Sequence, residues 1–107
     1  MKFTLIVCTY QRPGSLIRLL DSVEVQTLYP DQILIIDGST DEKTREILQT
    51  QSYRNLEYNK VNEQDRGLTK QRNYGVNKVS HSSEIICFLD DDIVLTPAYF
   101  ENLLNAY

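Results

Sequence analysis

The stretch CFLDDDIVLTP, residues 87–97, sets three carboxylates in a row directly after an apolar run. Side chains alternate across an extended chain, so Asp90 and Asp92 fall on one side and Asp91 on the other. Two carboxylates on one side repel unless a cation lies between or beside them. Oxygen donors with no His or Cys among them favour Mg²⁺ or Mn²⁺ over zinc. Mg²⁺ commonly takes one or two protein carboxylates and fills its other positions with water and substrate phosphate, which makes a phosphate ester the expected substrate. Three adjacent Asp are also what a solvated turn or a helix cap looks like; the apolar run before them favours the metal.

Other groups able to do chemistry follow the other apolar runs. Thr9-Tyr10-Gln11-Arg12 follows the first and Asp37-Gly38-Ser39-Thr40-Asp41 the second. Asp65-Arg66-Gly67 opens a later helical stretch, with Lys70 and Arg72 one or two turns inside, where a helix N-terminus helps direct cations at an anion. Asp37, with small Gly38 beside it, is placed to accept hydrogen bonds from a base or ribose. Tyr10 lies where a nucleobase could stack. The plainer alternatives are that Ser39 and Asp41 only cap a helix, that Arg66, Lys70 and Arg72 form a solvated helix face, and that His81 is a loop residue.

The elements that position these groups alternate in type. FTLIVC (3–8), QILIIDG (32–38), a weaker NLEYNKV (55–61) and EIICFLD (84–90) read as strands, and the near-continuous apolar character of all but the third suits a sheet covered on both faces. Leu16, Leu19, Leu20 and Val23 form a helical stripe after Pro13. Ser39 and Glu42 are spaced as a capping box for a second helix that buries Ile47 and Leu48. Leu68, Arg72, Val76 and Val79 predict the face of a third, weakened at Gly75. Pro97 opens a fourth, with Tyr99 or Phe100, Leu103 and Leu104 as its stripe. Strand and helix in alternation predict right-handed crossovers in a mainly parallel, three-layer α/β sheet of Rossmann-like type, with ligands at the carboxyl ends of the strands.

Length and composition bound the rest. The chain has 107 residues, 41% apolar and 24% charged, which fits one domain, residues 1–107, with one modest core. Its net charge of −4 argues against nucleic acid as a partner, because a phosphate backbone rewards a surplus of Lys and Arg. The N-terminal apolar run is too short to span a membrane and reads as no export signal. Cys8 and Cys87 have no CxxC and no nearby His, so they read as buried free thiols, suited to a reducing cytoplasm.

With these residues assembled, the sequence resembles the family 2 glycosyltransferases of GT-A fold over essentially its whole length. Four ordered motifs carry the likeness: IVCTYQRPGSLIRLLDSV for the first strand and helix, ILIIDGSTDEKT for the acidic loop, DRGLTKQRNYGV for a glycine-led helix with an Arg-Asn pair, and ICFLDDDIVLTP for the D-x-D strand. The resemblance implies an inverting, metal-dependent enzyme that moves a sugar from a UDP- or dTDP-linked donor to a saccharide or lipid-linked acceptor, with Mn²⁺ or Mg²⁺ as Lewis acid. On this likeness Thr9 and Tyr10 line the base pocket, Asp37 contacts the base and Arg72 lies near the diphosphate. Arg12 and Asp91 join the nucleotide-binding residues, Asp90 approaches the ribose or the metal, and Asp92 coordinates the metal. The acidic loop is one residue shorter than the family often has, since only Gly38 separates Asp37 from Ser39.

Inverting members take their general base from a later segment, expected here beyond Tyr107. The chain is therefore expected to be the nucleotide-binding half of a longer, truncated transferase that binds donor without transferring. Apolar sheet surface left uncovered is expected to drive formation of a homo-oligomer. Polysaccharide assembly at the inner face of a membrane is the family-level expectation for location. Two alternatives stand beside this: a non-catalytic nucleotide-binding fragment, and a phosphoryl-receiver module. The second fits poorly, because Thr9-Tyr10 and Lys60-Val61-Asn62 stand where its acids would be.

Overall fold

The two most apolar runs form the centre of the sheet. β1 (Phe3–Thr9) and β2 (Gln32–Asp37) are buried along nearly their whole length, and each pairs in parallel with an outer strand, giving the order β3-β2-β1-β4 with β3 (Leu56–Lys60) and β4 (Ile85–Asp90) at the edges. The structure, a computed structural model, describes residues 1–106. The all-parallel pairing places the ends of β1, β2 and β4 side by side: Thr9 is registered with Asp37, and Cys8 with Asp90.

Helices cover both faces. α1 (Pro13–Glu24) starts on Pro13 and buries Leu16, Leu19, Leu20 and Val23 against Phe3, Leu5, Val7, Ile33 and Ile35. α2 (Lys43–Gln49) adds Leu48 to that layer, and α4 (Tyr99–Leu104) adds Phe100 and Leu104, with the rings of Phe3 and Phe100 centred 5.1 Å apart. Fully burying a side chain of this kind contributes about 1.5–3 kcal/mol. The opposite face is smaller: Ile6, Leu34 and Ile36 lie beneath α3 (Leu68–Val76), with Tyr74 and Val79 packed against them.

Three expectations are corrected. The face of α3 that meets the sheet carries Gln71 and Gly75, while Leu68 and Val76 are exposed, so the helix is rotated about one residue from its apolar stripe. Gly75 is the reason: a Cβ there would stand 2.9 Å from Ile6 Cγ2 and 3.3 Å from Ile36 Cγ1, and only a bare backbone approaches that closely. Second, Ser39 does not cap α2. Its Oγ accepts from the Gln11 amide at 2.7 Å, and the helix begins three residues further on after Glu42. Third, β4 is not covered on both faces. α3 sits over β1 and β2, so Ile86 and Phe88 are 37% and 41% exposed on an edge strand. Among the described residues no helix is long and apolar enough to cross a membrane.

Candidate functional site

At the carboxyl end of the sheet, β1 and β4 open into a cavity of about 410 Å³. One wall is the acid triplet. Asp91 is buried, while Asp90 at the end of β4 and Asp92 in the turn that follows are exposed. Asp91 is tolerated inside because it is paired: Thr9 Oγ1 donates to its Oδ2 at 2.8 Å, and Arg12 Nη1 lies 3.5 Å from its Oδ1. The same guanidinium nitrogen lies 3.7 Å from Asp92 Oδ2, where both side chains are 57% exposed. An ion pair so open to solvent contributes about 0–1 kcal/mol.

The facing wall comes from the turn into α3, with Arg66, Gly67, Leu68 and Gln71. Gln71 is buried and ties three elements together: Nε2 donates to the carbonyls of Thr9 at 3.2 Å and Ile36 at 2.9 Å, while Oε1 accepts from the Gly67 amide at 3.0 Å. Gly67 has a φ of 119°, a backbone that favours glycine. Gly38 must be small for another reason, since a Cβ there would come 2.6 Å from Gln71 Oε1. Arg66 Nε donates to the Gly38 carbonyl at 2.6 Å, and Arg66 separates the first cavity from a second of similar volume that includes Ser39, Thr40, Arg45, Lys60 and Asn62.

Of the sequence-predicted residues, Thr9, Tyr10, Arg12, Asp90, Asp91 and Asp92 line one cavity. Asp37 and Arg72 do not. Asp37 is fully buried below the strand ends, where Oδ1 accepts from the Ser39 amide at 2.9 Å and Oδ2 from the Tyr58 hydroxyl at 2.5 Å. Both oxygens serve the fold, and the carboxylate shapes the Gly38-Ser39 turn from beneath. Arg72 is exposed on α3, its guanidinium 5.5 Å from the centre of the Phe88 ring. Burial pushes the Cys8 thiol up to about 11, with Arg72 pulling it down and Asp91 adding to the rise, so Cys8 lines the cavity as a neutral thiol. Lys70 and His81 are exposed, and Asp41 Oδ1 accepts from the Lys43 amide at 3.2 Å, so these follow the plainer alternatives.

Gln71 and Tyr58 were not legible as site residues in the sequence. The only signal for Gln71 is a polar residue four positions after a glycine at a helix start. For the cation, the donor set fits a hard divalent ion: Asp90 and Asp92 offer exposed carboxylate oxygens at the cavity. Among the described residues no group of three or more His, Cys, Asp or Glu is arranged to hold a metal ion by itself.

The sequence model of the family described as Glycosyl transferase family 2 matches residues 4–107. The succinoglycan biosynthesis protein ExoW of Rhizobium meliloti (strain 1021) is 34% identical over 108 residues, covering 99% of this chain and 33% of that protein. The O-antigen chain rhamnosyltransferase RfbN of Salmonella typhimurium is 30% identical over 95 residues, covering 89% of this chain and 29% of that protein. Among solved structures, S. aureus TarS 1-349 in complex with UDP-GlcNAc superposes with a TM-score of 0.77 at 24% identity, over 98% of this chain and 30% of that one. The chain thus spans about a third of the length of the relatives it matches. Its parallel sheet and helices are those of the GT-A fold, and the chain belongs to glycosyl transferase family 2.

Proposed function

We propose that this chain binds the nucleoside diphosphate of a sugar donor, UDP- or dTDP-linked, in the cavity between β1, β4 and α3. One observation carries the reading: carboxylates at Asp90 and Asp92 and the cation of Arg12 meet at the carboxyl end of a parallel sheet, in a cavity wide enough for a phosphate ester. The UDP-GlcNAc held by TarS supports that class of ligand. Asp92, with Asp90, holds Mn²⁺ or Mg²⁺, and Tyr10 offers an exposed ring to the base. Asp37 is fully buried outside that cavity, so its contribution is to hold the Gly38-Ser39 turn beside the strand ends.

In the whole transferase, the acceptor hydroxyl oxygen bonds to the anomeric carbon with inversion as the bond to the nucleoside diphosphate breaks. The hydroxyl proton passes to a base contributed outside these residues. The bound ion supplies Lewis-acid stabilisation of the negative charge that gathers on the departing diphosphate. Arg12 brings a permanent positive charge to it, and the cavity walls position the donor.

Calorimetric titration of UDP, dTDP and GDP, with and without Mn²⁺, tests the reading on the unaltered protein and Asp92→Ala. Mn²⁺-dependent binding of UDP or dTDP that is lost in the variant is expected. Binding that ignores the metal and the substitution overturns it, and so does phosphorylation of the acid triplet by acetyl phosphate, which would assign a phosphoryl receiver.

A further inference from the structure

Arg12 stands where a cation is needed. It precedes α1, and its Nη1 lies 3.5 Å from Asp91 Oδ1 and 3.7 Å from Asp92 Oδ2, so one guanidinium bridges two adjacent carboxylates. The two are held differently. Asp91 is buried and fastened by Thr9, so it cannot follow the guanidinium; Asp92 is exposed and has no other partner among the described residues. A divalent ion arriving at Asp92 therefore meets a positive charge already beside that carboxylate, on a half-exposed side chain whose swing gives up one long contact to Asp91 while the bond from Thr9 to Asp91 stays.

We infer that Arg12 is an internal counter-cation that competes with the divalent ion for Asp92 and, once displaced, turns to the diphosphate, so that Arg12 couples metal binding to nucleotide binding. The inference rests on the donor-binding reading above. Without a diphosphate, the displaced guanidinium loses a carboxylate and gains nothing, and metal alone binds weakly. With a diphosphate present, the guanidinium finds two acidic groups in reach, and bidentate recognition of phosphate is what its planar fork does best. Asp91 keeps the pivot of this movement in place, because its bond to Thr9 survives the exchange.

Mn²⁺ binding followed by the loss of its free-ion electron paramagnetic resonance signal, with and without saturating UDP, tests this on the unaltered protein, Arg12→Gln and Arg12→Lys. Without UDP, Arg12→Gln is expected to bind Mn²⁺ about two- to fivefold more tightly, the range an exposed ion pair commands. The tightening of Mn²⁺ binding by UDP is expected to be largest in the unaltered protein, partly kept in Arg12→Lys and smallest in Arg12→Gln. Unchanged or weaker Mn²⁺ binding by Arg12→Gln in the absence of UDP overturns the competition. Equal enhancement by UDP in all three proteins overturns the coupling. Mn²⁺ and UDP binding to none of them overturns the donor-binding reading as well, which separates the two failures. Thermal unfolding of each variant confirms that the comparison is between folded proteins.

Discussion

A carboxylate taken out of water must find donors, and this chain meets that requirement twice near its cavity. Asp91 uses a hydroxyl and a guanidinium; Asp37 uses a backbone amide and the phenol of Tyr58. Tyr58→Phe deletes one of those donors and leaves a buried oxygen unpaired, so it is expected to destabilise the protein by about 1–3 kcal/mol in urea unfolding. Burial, and then the bond to Asp37, raise the Tyr58 pKa above its ordinary value of 10.0. The folded protein keeps that proton where the unfolded chain has released it, so the contribution is complete below about pH 10 and is lost as pH rises further. Tyr53, raised by burial and its bond to Asp21, and Tyr29, raised by burial to about 12, act in the same direction. Stability should therefore fall above pH 10, with a shallower slope in Tyr58→Phe; identical slopes would remove Tyr58 from the account. At the acid end, the bond from Lys60 holds the Glu42 carboxyl below its ordinary value. That contact should weaken as pH falls through the carboxylate range, visible in Glu42→Gln as a smaller acid-side change in melting temperature.

Among the elements, α3 separates local preference from packing most clearly. In an isolated helix, Gly75→Ala would gain about 1 kcal/mol. In this fold the added Cβ meets Ile6 at 2.9 Å, and overpacking of that kind costs about 1–3 kcal/mol. The substitution is expected to lower stability in denaturant unfolding, and a stabilised variant would show that α3 can lift off the sheet without cost. The strands, by contrast, were legible to within one or two residues of their ends, because continuous apolar runs bounded by turn residues have few other uses in a chain of this length. The Ser39-Glu42 spacing misled because it is only permission for a capping box. The Gln11 amide competed for the same hydroxyl, and tertiary contact decided between them.

At the scale of the molecule, the two faces of the sheet are unequally served. Among the described residues one carries α1, α2 and α4 and the other α3, and Ile86 and Phe88 beside it meet water on an edge strand with unpaired backbone groups. The expectation of self-association follows from that surface, with a second copy of this chain as the occupant. Sedimentation velocity should show oligomers that grow with concentration, reduced in Ile86→Thr/Phe88→Ser; a monomer at every concentration would count against it. Ile86 lies four residues before Asp90, so Ile86→Thr alone is expected to leave UDP titrations unchanged.

The sequence by itself determined the order of elements, the parallel sheet and the arrival of Thr9, Tyr10, Arg12 and the acid triplet at one edge. These depend on periodicity and strand direction, which are local and additive along the chain. Only the tertiary structure decided that Asp37 turns inward to Tyr58, that Gln71 rather than Arg72 faces the strand ends, and that Arg12 already occupies Asp92. Each of those outcomes is a competition between partners far apart in sequence for one donor, one acceptor or one volume, and such competitions are settled by packing.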